Sequence, residues 1–202
     1  MGLELPAWSA GRSGLICRRM AVETTESLGL IAGSRNLPLM VAAEARAAGV
    51  GRIVAVGFEN ETDPALAGLV DEMVWLKVGQ LSKLIEAFKK AGVARCVMAG
   101  QIAPSNLFNL RPDLRAMKLL WRLKERNAHT IFGGIGDELA AEGVELIPAT
   151  PWLKPAMPAA GFHLGAKLSA AQWEDVAFGC RIAKAISRLE IGQTVVVKEG
   201  TA

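Results

Sequence analysis

A polar loop near residue 33 has the residue types that bind anions. The sequence GSRN at 33–36 separates an apolar run at 28–32 from a segment that opens with Pro38. Proline suits the first turn of a helix, so the loop is predicted to join a strand to a helix N-terminus. Unpaired backbone N–H groups and the positive end of the helix dipole attract anions there. The loop has one glycine where a dinucleotide fingerprint has three, so an ordinary tight turn at Gly33 is the alternative.

Two other polar residues follow apolar runs and could contact a ligand at the same edge of a sheet. Gln101 comes after the run at 94–100, and its amide offers a donor and an acceptor for a sugar hydroxyl or a base edge. An ordinary loop glutamine is the alternative. Glu59 follows the run at 52–58, where a dinucleotide fold holds the ribose. It raises the hypothesis of a nucleotide-cofactor oxidoreductase, which the missing glycine fingerprint weakens.

Five cations recur along one stripe of a predicted helix. They are spaced at i, i+4, i+7, i+11 and i+15 and comprise Arg111, Arg115, Lys118, Arg122 and Arg126. The same helix carries an apolar face made of Leu110, Leu114, Met117 and Trp121. Such a helix could contact anionic lipid headgroups or phosphates, and a solvated basic face is the alternative.

Composition narrows the remaining classes. Of the 202 residues, 51% are hydrophobic and 21% are charged, which is ample for a packed core. The net charge of +3 is too small to predict nucleic-acid binding, and no apolar run is long enough to span a membrane. Three cysteines without a CxxC pair and two distant histidines predict reduced cytoplasmic thiols and no zinc site. The carboxylates show no spacing that assembles an acid/base pair.

The elements that must position these residues alternate in type along the chain. Strands are predicted at 28–32, 52–58, 72–78, 94–100 and 144–150. Helices are predicted at 38–49 and 79–92, with two more within 113–144. The strands are continuously apolar, as expected of a parallel sheet with helices on both faces. The fold class is therefore α/β, a Rossmann-like parallel sheet whose ligand site lies beyond the carboxyl ends of the strands.

Changes in composition predict four successive regions. They are an extension at 1–27 expected to be disordered, a ligand-binding domain at 28–150, a linker at 151–168 rich in Pro, Ala and Gly, and the start of a second, incomplete α/β domain at 169–202. Either Met1 or Met20 could be the true start. A predicted strand at 194–197 runs into a hairpin turn with no room for a returning strand. Its unpaired edge is expected to favour self-association.

Several segments, in their order and spacing, resemble a known enzyme family. They are LGLIAGSRNLP (28–38), VGQLSKLIEAFKKAGV (78–93), VMAGQI (97–102), LRPDLRAMKLL (110–120) and LEIGQTVVVKEGT (189–201). The pattern is similar to that of the UDP-2,3-diacylglucosamine pyrophosphatases of the two-domain, magnesium-dependent kind, which act in lipid A synthesis. The resemblance implies a Rossmann-like N-terminal domain, a second domain, and a diacylglucosamine phosphate bound between them.

The resemblance also implies a reaction and a set of ligand contacts. Members of this family let water attack the α-phosphate of UDP-2,3-diacylglucosamine, which yields UMP and lipid X. Together with the strand-end rule, the resemblance gives the expected substrate-binding residues Gly33, Ser34, Asn36, Gln101, Ile102, Lys118, Thr130 and Gln193.

The family's catalytic aspartate and its expected Mg²⁺ site fall, by the same resemblance, beyond residue 202. No catalytic or metal-binding residue is therefore expected in this chain, which would bind UDP-2,3-diacylglucosamine or lipid X without hydrolysing it. A catalytically inactive module that binds a glycolipid phosphate or a nucleotide-sugar is the alternative. We expect a cytoplasmic protein, peripheral on the inner membrane through the basic helix at 111–126.

Overall fold

The computed structural model describes residues 27–102, 112–124, 128–159, 162, 164–189 and 191–202, with the backbone alone at 128 and 129. The chain divides into two compact units, Met1–Met157 and Pro158–Ala202. The predicted extension at 1–27 lies outside the described residues apart from Ser27, which pairs in the first strand. Within the described ranges, no helix has the length and hydropathy needed to cross a membrane.

The first unit is built on a five-stranded parallel sheet. Its strands, in chain order, are β1 (Ser27–Ala32), β2 (Arg52–Phe58), β3 (Glu72–Leu76), β4 (Arg95–Ala99) and β5 (Glu145–Leu146). Their spatial order is β3-β2-β1-β4-β5, and every neighbouring pair is parallel. Every side chain of β2 after Arg52 is buried, because elements pack on both faces of the sheet. The predicted parallel α/β fold is confirmed.

Helices of nine residues or more accompany this sheet within the described ranges. They are α1 (Leu37–Ala47), α2 (Leu81–Lys90), α3 (Leu114–Arg122) and α4 (Ala128–Ala140). One face of α2 is buried, as its spacing predicts, and carries Leu81, Leu84, Ile85 and Phe88. Glu86 and Lys90, one helical turn apart, form an ion pair at 2.7 Å on the solvent side of the same helix.

Two hydrophobic cores hold these helices to the sheet. One contains Phe88 of α2 together with Leu119 of α3 and Leu139 of α4. The other contains Val41 of α1 and Trp152, which follows β5. Burial of a large apolar side chain contributes roughly 1.5–3 kcal/mol to the free energy of unfolding. The two cores therefore give the loops at the carboxyl ends of the strands a firm support.

The end of the first unit differs from the prediction. Instead of spanning 144–150, β5 has two residues, because the chain leaves the sheet and forms a short helix, α5 (Thr150–Leu153). Trp152 of α5 is buried in the core, so the linker predicted at 151–168 begins inside the first unit. Pro151 lies at the start of α5, where proline is favoured, although the Pro-rich composition of this segment is typical of a linker.

The second unit contains a long helix, α6 (Ala170–Arg188). Ser169 and Gln172 form a capping box, in which each side chain accepts a hydrogen bond from the other residue's backbone N–H. A Cβ at Gly179 would lie 3.0 Å from a methyl group of Val197, so the chain that follows α6 packs against this helix.

The segment after α6 has the predicted turn but lacks the predicted strand. Lys198 and Thr201 exchange two backbone hydrogen bonds around Glu199 and Gly200, which both have positive φ, as in a two-residue hairpin turn. Residues 194–197 form no strand. Valines favour a strand when a neighbouring strand pairs with them, and no described residue supplies one. The prediction of a strand at 194–197 is wrong, and the self-association edge built on it has no strand to carry it.

Candidate functional site

The strand order places the topological switch point of the sheet, where doubly wound folds have a ligand-binding crevice, between β1 and β4. From β1 the chain builds β2 and β3 on one side and then crosses to build β4 and β5 on the other. The segments that leave β1 and β4 therefore lie at this switch point on the carboxyl edge of the sheet, which is where open parallel sheets bind ligands. These segments are the loop at 33–36 and residues 100–102.

Hydrogen bonds join these two segments. Ser34 and Gln101 form an antiparallel bridge, in which the Ser34 N–H donates to the Gln101 carbonyl at 2.7 Å and the Gln101 N–H donates to the Ser34 carbonyl at 3.4 Å. The Ser34 hydroxyl donates to the same Gln101 carbonyl at 2.9 Å. The Gly33 N–H donates to the Ala99 carbonyl at 2.8 Å. Gln101 is exposed, so its side-chain amide remains accessible to a ligand.

Gly33 and Gly100 permit this close approach. A Cβ at Gly33 would lie 2.7 Å from the backbone nitrogen of Gln101, and one at Gly100 would lie 2.7 Å from the carbonyl oxygen of Ser34. A side chain at either position would therefore push the two segments apart. Gly100 also has a φ of +94°, which glycine adopts without strain. The sequence pattern did not single out Gly100, although a glycine that directly follows a strand was a usable signal.

The other two residues of the β1 loop present exposed polar side chains. Arg35 has a φ of +69°, which is uncommon for a residue other than glycine and is found most often at functional sites. Asn36 is the N-cap residue of α1, but its side chain does not cap the helix and makes no hydrogen bond to a described residue. The Asn36 amide and the helix N-terminus are thus placed side by side, as an anion-binding loop requires.

Comparison with known proteins assigns the chain to a family. Residues 27–156 match the family model of the LpxI N-terminal domain, and residues 159–202 match that of the LpxI C-terminal domain. The chain belongs to the LpxI family. Over 179 residues it is 31% identical to the UDP-2,3-diacylglucosamine pyrophosphatase LpxI of Caulobacter vibrioides. This alignment covers 86% of the chain and 62% of that relative, so the chain spans less than two thirds of the relative's length.

A solved structure with partial similarity to this LpxI-family chain is the biotin carboxylase domain of a thermophilic 2-oxoglutarate carboxylase bound to ADP. It is 12% identical, with a TM-score of 0.35, and the match covers 80% of this chain and 27% of that one. A similarity of this size carries no argument about function. The family resemblance seen in the five sequence segments is confirmed by the two family matches.

The remaining predicted contacts of this LpxI-family chain are dispersed. Ile102 follows Gln101 and is half-buried against the core. Lys118 is exposed on α3, and no hydrogen bond or ion pair within the described ranges joins it to the β1 or β4 loop. Thr130 is half-buried on α4, and Gln193 is exposed in the second unit. The roles of these residues in substrate binding stay predictions.

Two cations of the predicted basic stripe form ion pairs within the first unit. Arg115 of α3 contacts Glu138 of α4 at 2.6 Å and Glu142 at 2.9 Å, and Arg122 contacts Glu138 at 2.9 Å. The hydrogen bond from Arg115 holds the pKa of Glu138 below its ordinary value, against the opposing effect of partial burial. Arg115 and Arg122 thus link α3 to α4. The stripe residues outside the described part of the chain are Arg111 and Arg126.

The described ranges contain no candidate metal centre. Within them, no group of three or more His, Cys, Asp or Glu side chains is placed to hold a metal ion. The family resemblance places the magnesium site beyond residue 202, so that site stays a prediction and no step proposed below passes through a metal. Burial raises the pKa of the Cys96 thiol to about 12, so this cysteine stays protonated at neutral pH and is a poor nucleophile.

Proposed function

We propose that this chain binds UDP-2,3-diacylglucosamine, or its product lipid X, at the crevice between β1 and β4. The substrate is suggested by the name of the Caulobacter vibrioides relative, a UDP-2,3-diacylglucosamine pyrophosphatase. The observation that carries the proposal is the hydrogen-bonded pair of loops, Ser34 with Gln101, at the edge where open parallel sheets bind ligands. A phosphorylated sugar offers both an anion and hydroxyl groups, which match the helix N-terminus and the exposed amides.

Each exposed polar group has a role that follows from its chemistry. The N-terminus of α1 and the Asn36 amide donate hydrogen bonds to phosphate oxygens. The Gln101 amide donates to one sugar hydroxyl and accepts from another. Lys118 supplies a cation for the phosphate, since it is exposed and has no ion-pair partner among the described residues. These groups bind and orient the substrate, and the proposal assigns bond cleavage to none of them.

Calorimetric titration with lipid X in detergent micelles tests this proposal, with detergent alone as the blank. Asn36→Ala and Gln101→Ala should each weaken binding by about tenfold, because each removes a hydrogen bond to a charged or hydroxyl group. Lys83→Ala on the exposed side of α2 is the control and should bind like the wild type. Wild-type affinity in both loop variants would rule out the β1–β4 crevice as the binding site.

We also propose that α3 rests on an anionic lipid surface when the chain meets its substrate. Leu114 and Trp121 are 77% and 76% exposed, and Lys118 lies on the same helix face between them. Apolar side chains next to a cation suit the headgroup region of an anionic bilayer. A substrate with two acyl chains is itself held at such a surface, so contact through α3 would bring the crevice to it.

A further inference from the structure

A second cleft lies beside the β1 loop and has no part in the roles assigned above. Its volume is about 980 Å³, which is at the upper end of the range for small-molecule sites. The cleft is bounded by the loop after β1, the loop after β2, and β3. The lining residues that matter for its chemistry are Arg35, Glu59, Asn60, Thr62 and Trp75. Through Arg35 it adjoins the loop that borders the β1–β4 crevice.

Thr62 fixes the floor of this cleft. Its buried hydroxyl accepts a hydrogen bond from the Phe58 N–H at 2.8 Å and donates one to the Ala32 carbonyl at 2.5 Å. The loop after β2 is thereby tied to the end of β1. Asn60 turns the same loop with a φ of +64°. A floor held in this way exists before a ligand arrives, so binding requires little ordering of the chain.

Trp75 forms an aromatic wall. Its side chain is 39% exposed although it lies in a strand of the central sheet. Gly57 on the neighbouring strand leaves space for Met73 and Trp75, because a Cβ there would meet the Met73 methyl group first and would come within 3.1 Å of the Trp75 indole. The indole therefore lies close to bare backbone and keeps part of its surface on the cleft. Planar bases of any identity stack on such a ring.

The polar groups that line the cleft favour an uncharged part of a ligand over a phosphate group. The Glu59 carboxylate is exposed and forms no hydrogen bond or ion pair with a described residue. Glu61 and Asp63 add two further carboxylates to the lining, of which Asp63 accepts a hydrogen bond from the Ala65 N–H at 2.9 Å. Carboxylates repel phosphate but accept hydrogen bonds from hydroxyl groups. The position directly after β2 is also where doubly wound folds hold the hydroxyls of a ribose. Arg35, which belongs to the β1 loop, contributes a cation to the lining of the cleft.

We infer that this cleft holds the nucleoside end of a nucleotide-sugar, with the base against Trp75 and the ribose hydroxyls on Glu59. The diphosphate passes Arg35 and reaches the β1 loop, and the sugar lies at Gln101. The inference rests on the proposed function, which supplies a UDP-sugar as the substrate. It goes further by assigning the two ends of that substrate to different residues.

Separate calorimetric titrations with UMP and with lipid X test this assignment on the 202-residue chain. UMP carries the nucleoside without the lipid, and lipid X carries the sugar phosphate without the nucleoside. Trp75→Ala should weaken UMP binding by about tenfold or more, and Glu59→Gln by about fivefold. Both variants should bind lipid X as the wild type does. Phe132→Ala, which removes an exposed aromatic side chain of α4, and Glu86→Gln are the matched controls. Both residues lie outside the cleft lining, so these variants should leave UMP binding unchanged.

The outcomes separate the inference from the proposed function. If the wild type does not bind UMP, or if both cleft variants bind it at full strength, the nucleoside assignment is overturned. Retained lipid X binding in that case leaves the proposed function standing, whereas loss of both ligands removes both. Circular dichroism melts report whether each variant is folded. Glu59→Gln keeps the test decisive if Trp75→Ala unfolds, because the Glu59 side chain has no partner among the described residues.

Discussion

The strand-end loops and the basic helix α3 both have sequence patterns that predict ligand binding, yet the structure uses their polar groups differently. The loops pair through backbone groups and the Ser34 hydroxyl, which leaves the side chains of Asn36 and Gln101 exposed. On α3, Arg115 and Arg122 bond instead to Glu138 of α4, and Arg115 also to Glu142 just beyond it. The difference arises because sheet topology alone places strand ends together, whereas the partner of a helix charge depends on which helix packs beside it.

The largest expected effect comes from forcing the two loops apart. Gly33→Ala places a Cβ 2.7 Å from the backbone of Gln101, where neither atom can move cheaply. We expect the free energy of unfolding to fall by about 1–3 kcal/mol and lipid X affinity to fall more than tenfold. Gly133→Ala in α4 meets no atom within 4 Å and should raise the free energy of unfolding by about 0.5–1 kcal/mol. Urea unfolding measures the free energies of unfolding, and calorimetry measures the affinity for lipid X. Unchanged lipid X affinity in Gly33→Ala would show that the pairing of the two loops is not needed for binding.

A substitution at the contact between α3 and α4 should lower the free energy of unfolding without changing the affinity for lipid X. Glu138→Gln removes a charged acceptor that Arg115 and Arg122 share and leaves Arg115 with Glu142 alone, and the Glu138 side chain is 15% exposed. We expect the free energy of unfolding to fall by about 1–2 kcal/mol, with lipid X affinity unchanged. Glu86→Gln breaks an exposed pair and should cost about 0.5 kcal/mol or less. A loss of lipid X affinity in Glu138→Gln would contradict the purely structural role assigned to Arg115 and Arg122.

The contact between Arg115 and Glu138 also predicts that the free energy of unfolding depends on pH, with a smaller effect than the substitution itself. The hydrogen bond from Arg115 lowers the pKa of Glu138 below its ordinary value of 4.5. The contribution of this carboxylate to stability is therefore fully present above about pH 4.5 and is lost as the pH falls through the folded-state pKa. As the pH falls from about 5 to about 3, the difference in the free energy of unfolding between the wild type and Glu138→Gln should shrink. Urea unfolding at several pH values measures it, and a constant difference would contradict the assigned pKa shift.

The smallest expected effect concerns the outer face of α3. Trp121→Ser removes an exposed apolar side chain and should reduce cosedimentation with anionic vesicles by about threefold, as interfacial burial of an indole predicts. Vesicles of zwitterionic lipid should retain little of either protein. Trp173→Ser, which changes an exposed tryptophan of α6, is the matched control. Equal sedimentation of Trp121→Ser and the wild type would show that this face does not contact lipid.

Much of the fold followed from the sequence, because continuous apolar strands and a periodic helix such as α2 are local signals. The meeting of Ser34 with Gln101 also followed, since parallel strands end at one edge. The tertiary contacts did not follow. The Thr62 hydroxyl donates a hydrogen bond to the carbonyl of Ala32, which is thirty residues away. Arg115 forms its ion pair with Glu138, which lies on another helix. The false strand at 194–197 has the same cause, because β-propensity cannot supply the strand that would pair with it.

The most direct measurement of the central claim is the change in backbone amide NMR shifts when lipid X is added to the ¹⁵N-labelled chain. If the two loops form one ligand site, the amides of Ser34, Asn36 and Gln101 shift together and saturate with a single dissociation constant. The amides of Glu86 and Lys90, on the outer side of α2, stay unchanged. Shifts confined to residues 169–202, with the amides of both loops unmoved, would contradict the account.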